Sequence, residues 1–182
     1  MTACLMPIDL IGDFLAHLDS TEVERILGRT NALVAAFHQA GLPVIWVRQE
    51  FAPDLSDAFL EMRERKIRTA IAGTPGAQLD PRLDVHSQDT VIVKKRYSAF
   101  YGTDLDAVLA RLEVDELVLA GVNTHACIRM AAIDAYQRDL KVILATECLG
   151  SHDAEHAAVS LRYMDGKIAR ALSNAEILSR VG

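Results

Sequence analysis

The chain has 182 residues, of which 51% are hydrophobic and 24% charged, with a net charge of −6. This excludes wholesale disorder and fits one domain spanning residues 1–182, large enough to bury roughly 70% of its unfolded surface. The acidic balance argues against a nucleic-acid partner, and no apolar stretch approaches the roughly 20 residues needed to cross a membrane.

In chain order, the apolar run 3–8 reads as a strand, although Pro7 lacks a ladder donor and a local bulge is expected there. Residues 21–40 read as a helix, opened by Thr21-x-x-Glu24 at capping-box spacing and closed by Gly41-Leu-Pro43. A second strand follows at 44–47. Residues 53–76 are charged and punctuated by proline and glycine; they form either a helical excursion where a lid would lie or a plain surface insertion. Its one basic cluster, 63–68, is broken by Glu64 and reads as a solvated helix face. Further strands are expected at 91–93, 117–120, 142–145 and 168–172. The helices between and after them are 104–112 (capped by Thr103), 126–138, 153–164 and a last one opened by Ser173-x-x-Glu176. Continuous Val/Ile/Leu strands separated by helices indicate an α/β sandwich, a parallel sheet covered on both faces.

Ligands of an open parallel sheet bind beyond the carboxyl ends of its strands. Asp9, Lys94 and Cys127 all fall there, and carboxylate, ammonium and thiol together suit acyl transfer. Cys127 follows the strand 117–120 at the start of a helix, among unpaired N–H groups that favour a thiolate. Lowering a thiol pKa by two units takes roughly 2.7 kcal/mol. A helix N-terminus supplies only about 0.3–1 kcal/mol, and Asp9 opposes ionisation, so Lys94 is the element that lets base and thiolate coexist. Each residue also has a plain reading: Cys127 as a small buried hydrophobe, Asp9 as a turn residue, Lys94 as solvent-facing charge beside Lys95 and Arg96. Cys4 reads as core, and Cys148 is ambiguous. Three cysteines without a C-x-x-C pair leave one over in any disulfide scheme, which points to a reducing cytoplasm, and the N-terminus lacks signal-peptide order.

Two patterns compete. His125 stands two residues before Cys127, and positions two apart on a helix do not share a face, so it lines the pocket or caps the helix rather than serving as base. His152-Asp-Ala-Glu-His156 fits H-x-x-E-H, but its first histidine precedes the helix and no third ligand follows nearby, so a charged helix start accounts for it better than zinc.

Three segments in this order resemble the isochorismatase-like cysteine hydrolases, a group that includes nicotinamidases, N-carbamoylsarcosine amidase and the isochorismatase domains of siderophore synthesis. They are Ile8-Asp-Leu-Ile-Gly-Asp-Phe14, Val93-Lys-Lys-Arg-Tyr-Ser-Ala-Phe100 with Gly102-Thr-Asp-Leu105, and Gly121-Val-Asn-Thr-His-Ala-Cys127. The resemblance implies a Rossmann-like three-layer sandwich on a six-stranded parallel sheet, acting as a homo-oligomer (dimer or tetramer). It carries a catalytic triad onto Asp9, Lys94 and Cys127. It also implies a cis peptide between Val122 and Asn123, with the Asn123 and Cys127 N–H groups forming an oxyanion hole. Arg48, Tyr97, Phe100 and His125 become candidate substrate contacts.

The chain departs from the group's patterns at Ile11, where many relatives carry glutamine, and at Pro7. After Arg48, Gln49-Glu-Phe-Ala-Pro53 offers no counterpart to the metal cluster of nicotinamidases, which argues against that activity and against any metal or cofactor. The retained thiol favours a small-molecule substrate with an amide, ureido or carbamoyl C–N bond, cleaved through a thioester. The alternatives are vinyl-ether hydrolysis of the isochorismatase type through Asp9, and a non-catalytic binding or scaffold role.

Overall fold

The computed structural model describes residues 2–181. Six strands form one sheet: β1 (Thr2–Ile8), β2 (Ile45–Gln49), β3 (Thr90–Lys94), β4 (Val114–Val122), β5 (Lys141–Gly150) and β6 (Arg170–Leu172). All pair in parallel, in the order β3-β2-β1-β4-β5-β6. The expected three-layer α/β architecture is therefore present, and every expected strand has an observed one.

Period-two alternation sorts the strand side chains. Cys4, Met6 and Ile8 of β1 join one core, with Leu105, Val108 and Leu109 of α4 (Leu105–Arg111) and Ala131, Ala132 and Ala135 of α5 (Arg129–Tyr136). Met164, ending α6 (Ala154–Met164), joins the same core. Ala3 and Leu5 face the other core, with Ile26, Leu33 and Phe37 of α2 (Ser20–Gln39) and Ile177 of α7 (Asn174–Val181).

The helix ends differ in detail from expectation. α2 is capped by Asp19, whose side chain accepts from the Thr21 N–H at 2.8 Å, so the helix starts ahead of the Thr21 box. At α7 the capping box forms: the Ser173 N–H donates to Glu176 Oε2 at 2.8 Å, and the Glu176 N–H donates to Ser173 Oγ at 3.3 Å. α4 starts one residue later than expected, with Asp104 at its N-cap and making no side-chain cap bond; the Leu105 N–H donates to Thr103 Oγ1 at 3.3 Å.

No bulge forms at Pro7, which pairs in register with Ala120 of β4. On the β2 side the Leu5 N–H donates to the Pro43 carbonyl (3.1 Å) and the Asp9 N–H to that of Val47 (2.8 Å). The missing donor falls between those two bonds, so the ladder skips one rung without an extra residue.

Candidate active site

Neighbouring strands bring four side chains to the carboxyl rim: Asp9 directly after β1, Gln49 ending β2, Lys94 ending β3 and Cys127 beyond β4. All four are sealed from solvent, with Cys127 the most exposed at 3%. Asp9 turns the chain at φ 58°, in the left-handed region. Its Oδ1 accepts from the Gln49 main-chain N–H at 2.7 Å. Its Oδ2 forms a buried ion pair with Lys94 Nζ at 2.7 Å. Lys94 Nζ also donates to Gln49 Oε1 (2.8 Å), the Arg96 carbonyl (3.1 Å) and Cys127 Sγ (3.5 Å).

The approach to Cys127 is a tight turn. Val122–Asn123 is cis. Gly121 has φ 111°, and a Cβ there would stand 2.0 Å from the Ile8 carbonyl oxygen, so only glycine lets β4 pass the backbone that sets Asp9. Thr124–Ile128 then forms a π-helical turn, with the Ile128 N–H donating to the Asn123 carbonyl at 3.2 Å, before α5 begins.

That burial changes the electrostatics expected of a helix start. Burial opposes charge on Lys94, yet the Asp9 carboxylate and the Cys127 sulfur outweigh it and hold the ammonium above the usual lysine range. For Cys127, burial and then the Asp9 carboxylate push the thiol well up, and the opposing pull of Lys94 does not offset them. The Cys127 thiol itself faces Gln49 Oε1 at 4.0 Å. Cys4 is likewise a buried strand thiol pushed well up by burial, and Cys148 is pushed up to about 11 by burial while its thiol donates to Asn174 Oδ1 at 3.3 Å.

The remaining candidates lie around this cluster rather than in it. Arg48 Nη1 donates to Glu50 Oε2 at 2.5 Å and to the Ala77 carbonyl at 3.0 Å. Phe100 is buried in the core beneath α4 and α5, with the Arg138 guanidinium 4.4 Å over its ring. Tyr97 is half exposed, its ring 5.1 Å from that of Phe59. His125 Nδ1 lies 2.6 Å from Ser151 Oγ, and burial together with the neighbouring His152 and His156 holds its pKa below the usual value. His152 precedes α6 and its Nδ1 meets Asn123 Oδ1 at 3.1 Å, while His156 Nδ1 meets Asp153 Oδ2 at 2.8 Å. Among the described residues no group of three or more His, Cys, Asp or Glu is arranged to hold a metal ion.

Residues 53–76 form a packed excursion on the same rim. It carries α3 (Leu60–Arg65) and, with Ile11, a small core of its own: Phe51, Leu55, Ala58, Ala70 and Ile71. Asp13 Oδ2 accepts from the Ala70 N–H at 2.7 Å, tying the excursion to α1 (Gly12–Leu15). Arg96, two residues past Lys94, donates to the Asp57 carbonyl at 2.9 Å. The apolar Ile11 thus helps anchor this excursion to the sheet end.

Gln49 was not among the sequence candidates. Its signal was positional: it closes a strand between two others whose final residues were already singled out.

The family model described as Isochorismatase domain matches residues 2–176. A probable inactive nicotinamidase of Arabidopsis thaliana is 36% identical over 143 residues, 74% of this chain and 73% of that protein. Ureidoacrylate amidohydrolase of Methylorubrum extorquens is 30% identical over 79% of this chain and 62% of its own length. Among solved structures, an isochorismatase family protein from Desulfovibrio vulgaris superposes with a TM-score of 0.89 at 28% identity, over 99% of this chain and 98% of that one.

Proposed function

The chain belongs to the isochorismatase family of hydrolases, and within it we propose a metal-independent cysteine amidohydrolase acting on a small amide, ureido or carbamoyl compound. One observation carries this reading: the Cys127 sulfur lies 3.5 Å from the Lys94 ammonium, which pairs with the Asp9 carboxylate at 2.7 Å, and all three are buried together at the strand ends. The likeness to ureidoacrylate amidohydrolase supports a C–N bond as the target.

In the proposed reaction, Asp9 Oδ2 takes the thiol proton as Cys127 Sγ attacks the carbonyl carbon. Moving the proton in step with attack avoids forming a free thiolate beside the carboxylate. The main-chain N–H groups of Asn123 and Cys127 receive the developing oxyanion. As the tetrahedral intermediate collapses, the protonated Asp9 gives its proton to the departing amine or ammonia, leaving a thioester. Asp9 then accepts a proton from water as the water attacks the thioester, and that proton returns to the sulfur when the acid leaves. Lys94 stays protonated throughout and keeps the anionic sites together. Tyr97, His125 and Arg48, none of them fully buried, line the approach, and Phe100 supports it from the core.

The strongly raised thiol favours one second reading, vinyl-ether hydrolysis in which Asp9 supplies the proton and Cys127 is a bystander. Cys127→Ala and Asp9→Asn, each assayed on isochorismate and on a panel of small amides with ammonia detection, separate the two. Loss of amide turnover in both variants supports the cysteine mechanism. Full turnover in Cys127→Ala rejects it, and no turnover of any substrate by the unaltered protein points to a scaffold. We further propose that the protein works in the cytoplasm as a single domain assembled into homo-oligomers. No helix among the described residues is long and apolar enough to cross a membrane, and Met130, Tyr136, Val159 and Tyr163 of α5 and α6 are exposed and could face another copy.

A further inference from the structure

We infer that His152 is a positioning residue, whose ring holds Asn123 in place at the start of the turn that carries Cys127. β4 and β5 stay paired to their last residues, Val122 beside Gly150. The chain beyond one strand therefore meets the chain beyond the other, and three successive residues on each side are joined. Thr124 Oγ1 donates to the Gly150 carbonyl at 3.0 Å, and His125 Nδ1 lies 2.6 Å from Ser151 Oγ. His152 meets Asn123 twice: its main-chain N–H donates to Asn123 Oδ1 at 3.2 Å, and its ring Nδ1 lies 3.1 Å from the same oxygen.

An amide oxygen can only accept, so the ring carries its proton on Nδ1. The imidazolium keeps that same proton, and titration of His152 therefore leaves the bond in place. Asn123 is gripped at both of its oxygens. The side-chain oxygen takes the two His152 donors, and the carbonyl takes the Ala126 and Ile128 N–H groups at 3.0 and 3.2 Å. A residue held at both oxygens has little freedom to swing its own N–H, which the proposed reaction aims at the oxyanion. Without the ring's bond, one main-chain donor is left to hold the side chain. The ring itself is exposed, so replacing it empties no core.

The part played in turnover rests on the hydrolase reading; the hold on the turn does not. Two variants separate the donor from the ring. His152→Asn puts an amide Nδ2 where the ring has Nδ1, and His152→Leu keeps bulk without any donor. His152→Leu should lower kcat roughly five- to tenfold at nearly constant KM, the scale of one neutral hydrogen bond, while His152→Asn stays within about twofold of the unaltered protein. Asparagine does not titrate near neutral pH, so its rescue distinguishes positioning from proton transfer. An Asn variant as slow as the Leu variant, or a Leu variant at full rate, would overturn the inference. Amide hydrogen exchange at Ala126 and Ile128 reads the hold on the turn without any substrate. It should speed up roughly fivefold in His152→Leu and stay unchanged in His152→Asn; unchanged exchange in His152→Leu would also overturn the inference. If no amide is turned over at all, the proposed activity fails while the exchange rates still decide the role of His152.

Discussion

The two ends of β3 each carry a buried aspartate cluster, and they are finished differently. At the amino end, Asp89 Oδ1 meets His38 Nε2 at 2.7 Å, while its Oδ2 accepts from Trp46 Nε1 and from the His86 N–H, both at 2.9 Å. Both carboxylate oxygens are used; the loose end there is Nδ1 of His38, which stacks on His86 at 3.9 Å. At the carboxyl end, Asp9 Oδ1 accepts from the Gln49 N–H and Oδ2 pairs with the buried Lys94 ammonium at 2.7 Å. The first carboxylate ties loops to the sheet; the second is paired with a buried cation that also reaches a thiol at 3.5 Å.

The comparison breaks first at the sulfur. Cys127→Ala should lower amide turnover by at least about 10⁴-fold while leaving the fold intact, read by kcat and near-UV circular dichroism. Asp89→Ala should leave kcat within about twofold, because it touches only the structural end.

Stability sharpens the contrast. Lys94→Met strands the Asp9 carboxylate and should cost about 3–5 kcal/mol in urea unfolding, whereas Asp9→Asn combined with Lys94→Met should cost less than the sum of the two single changes. Asp89→Ala, which leaves the Trp46 and His86 N–H groups and His38 Nε2 without their acceptor, should cost about 2–3 kcal/mol.

The smallest effect is in pH. Cys4, Cys127 and Cys148 all have raised folded pKa values. Above the unfolded cysteine value of about 8.5 the unfolded chain loses these protons while the folded one keeps them, so stability falls as pH rises. The slope is about 1.4 kcal/mol per pH unit for each thiol. For Cys148 it ends near its folded value of about 11. Cys148→Ala should make the decline shallower by one thiol's share, measured by urea unfolding at stepped alkaline pH.

Much of the architecture was legible because it rests on repeating local signals. The apolar runs marked every strand, and Asp9 and Lys94 stand where those runs stop. Cys127 was placed correctly along the chain but not in its surroundings: a helix start suggests open N–H groups, whereas the π-helical turn folds the sulfur under the rim, where desolvation dominates. Gln49 escaped notice because an amide at a strand end has no charge or nucleophile to draw attention. Its part depends on cross-strand register with Lys94, a long-range fact. Pro7 misled for the opposite reason. A missing donor is a local signal, but the ladder absorbed it by omitting one bond.

The central claim is that Cys127 becomes covalently acylated. Intact-mass analysis after rapid acid quench, using a slowly hydrolysed amide and followed by peptide mapping, tests it most directly. The account predicts one added acyl mass on Cys127, absent in Cys127→Ala and accumulating more slowly in Asp9→Asn. Turnover at full rate with no adduct on that sulfur would contradict it.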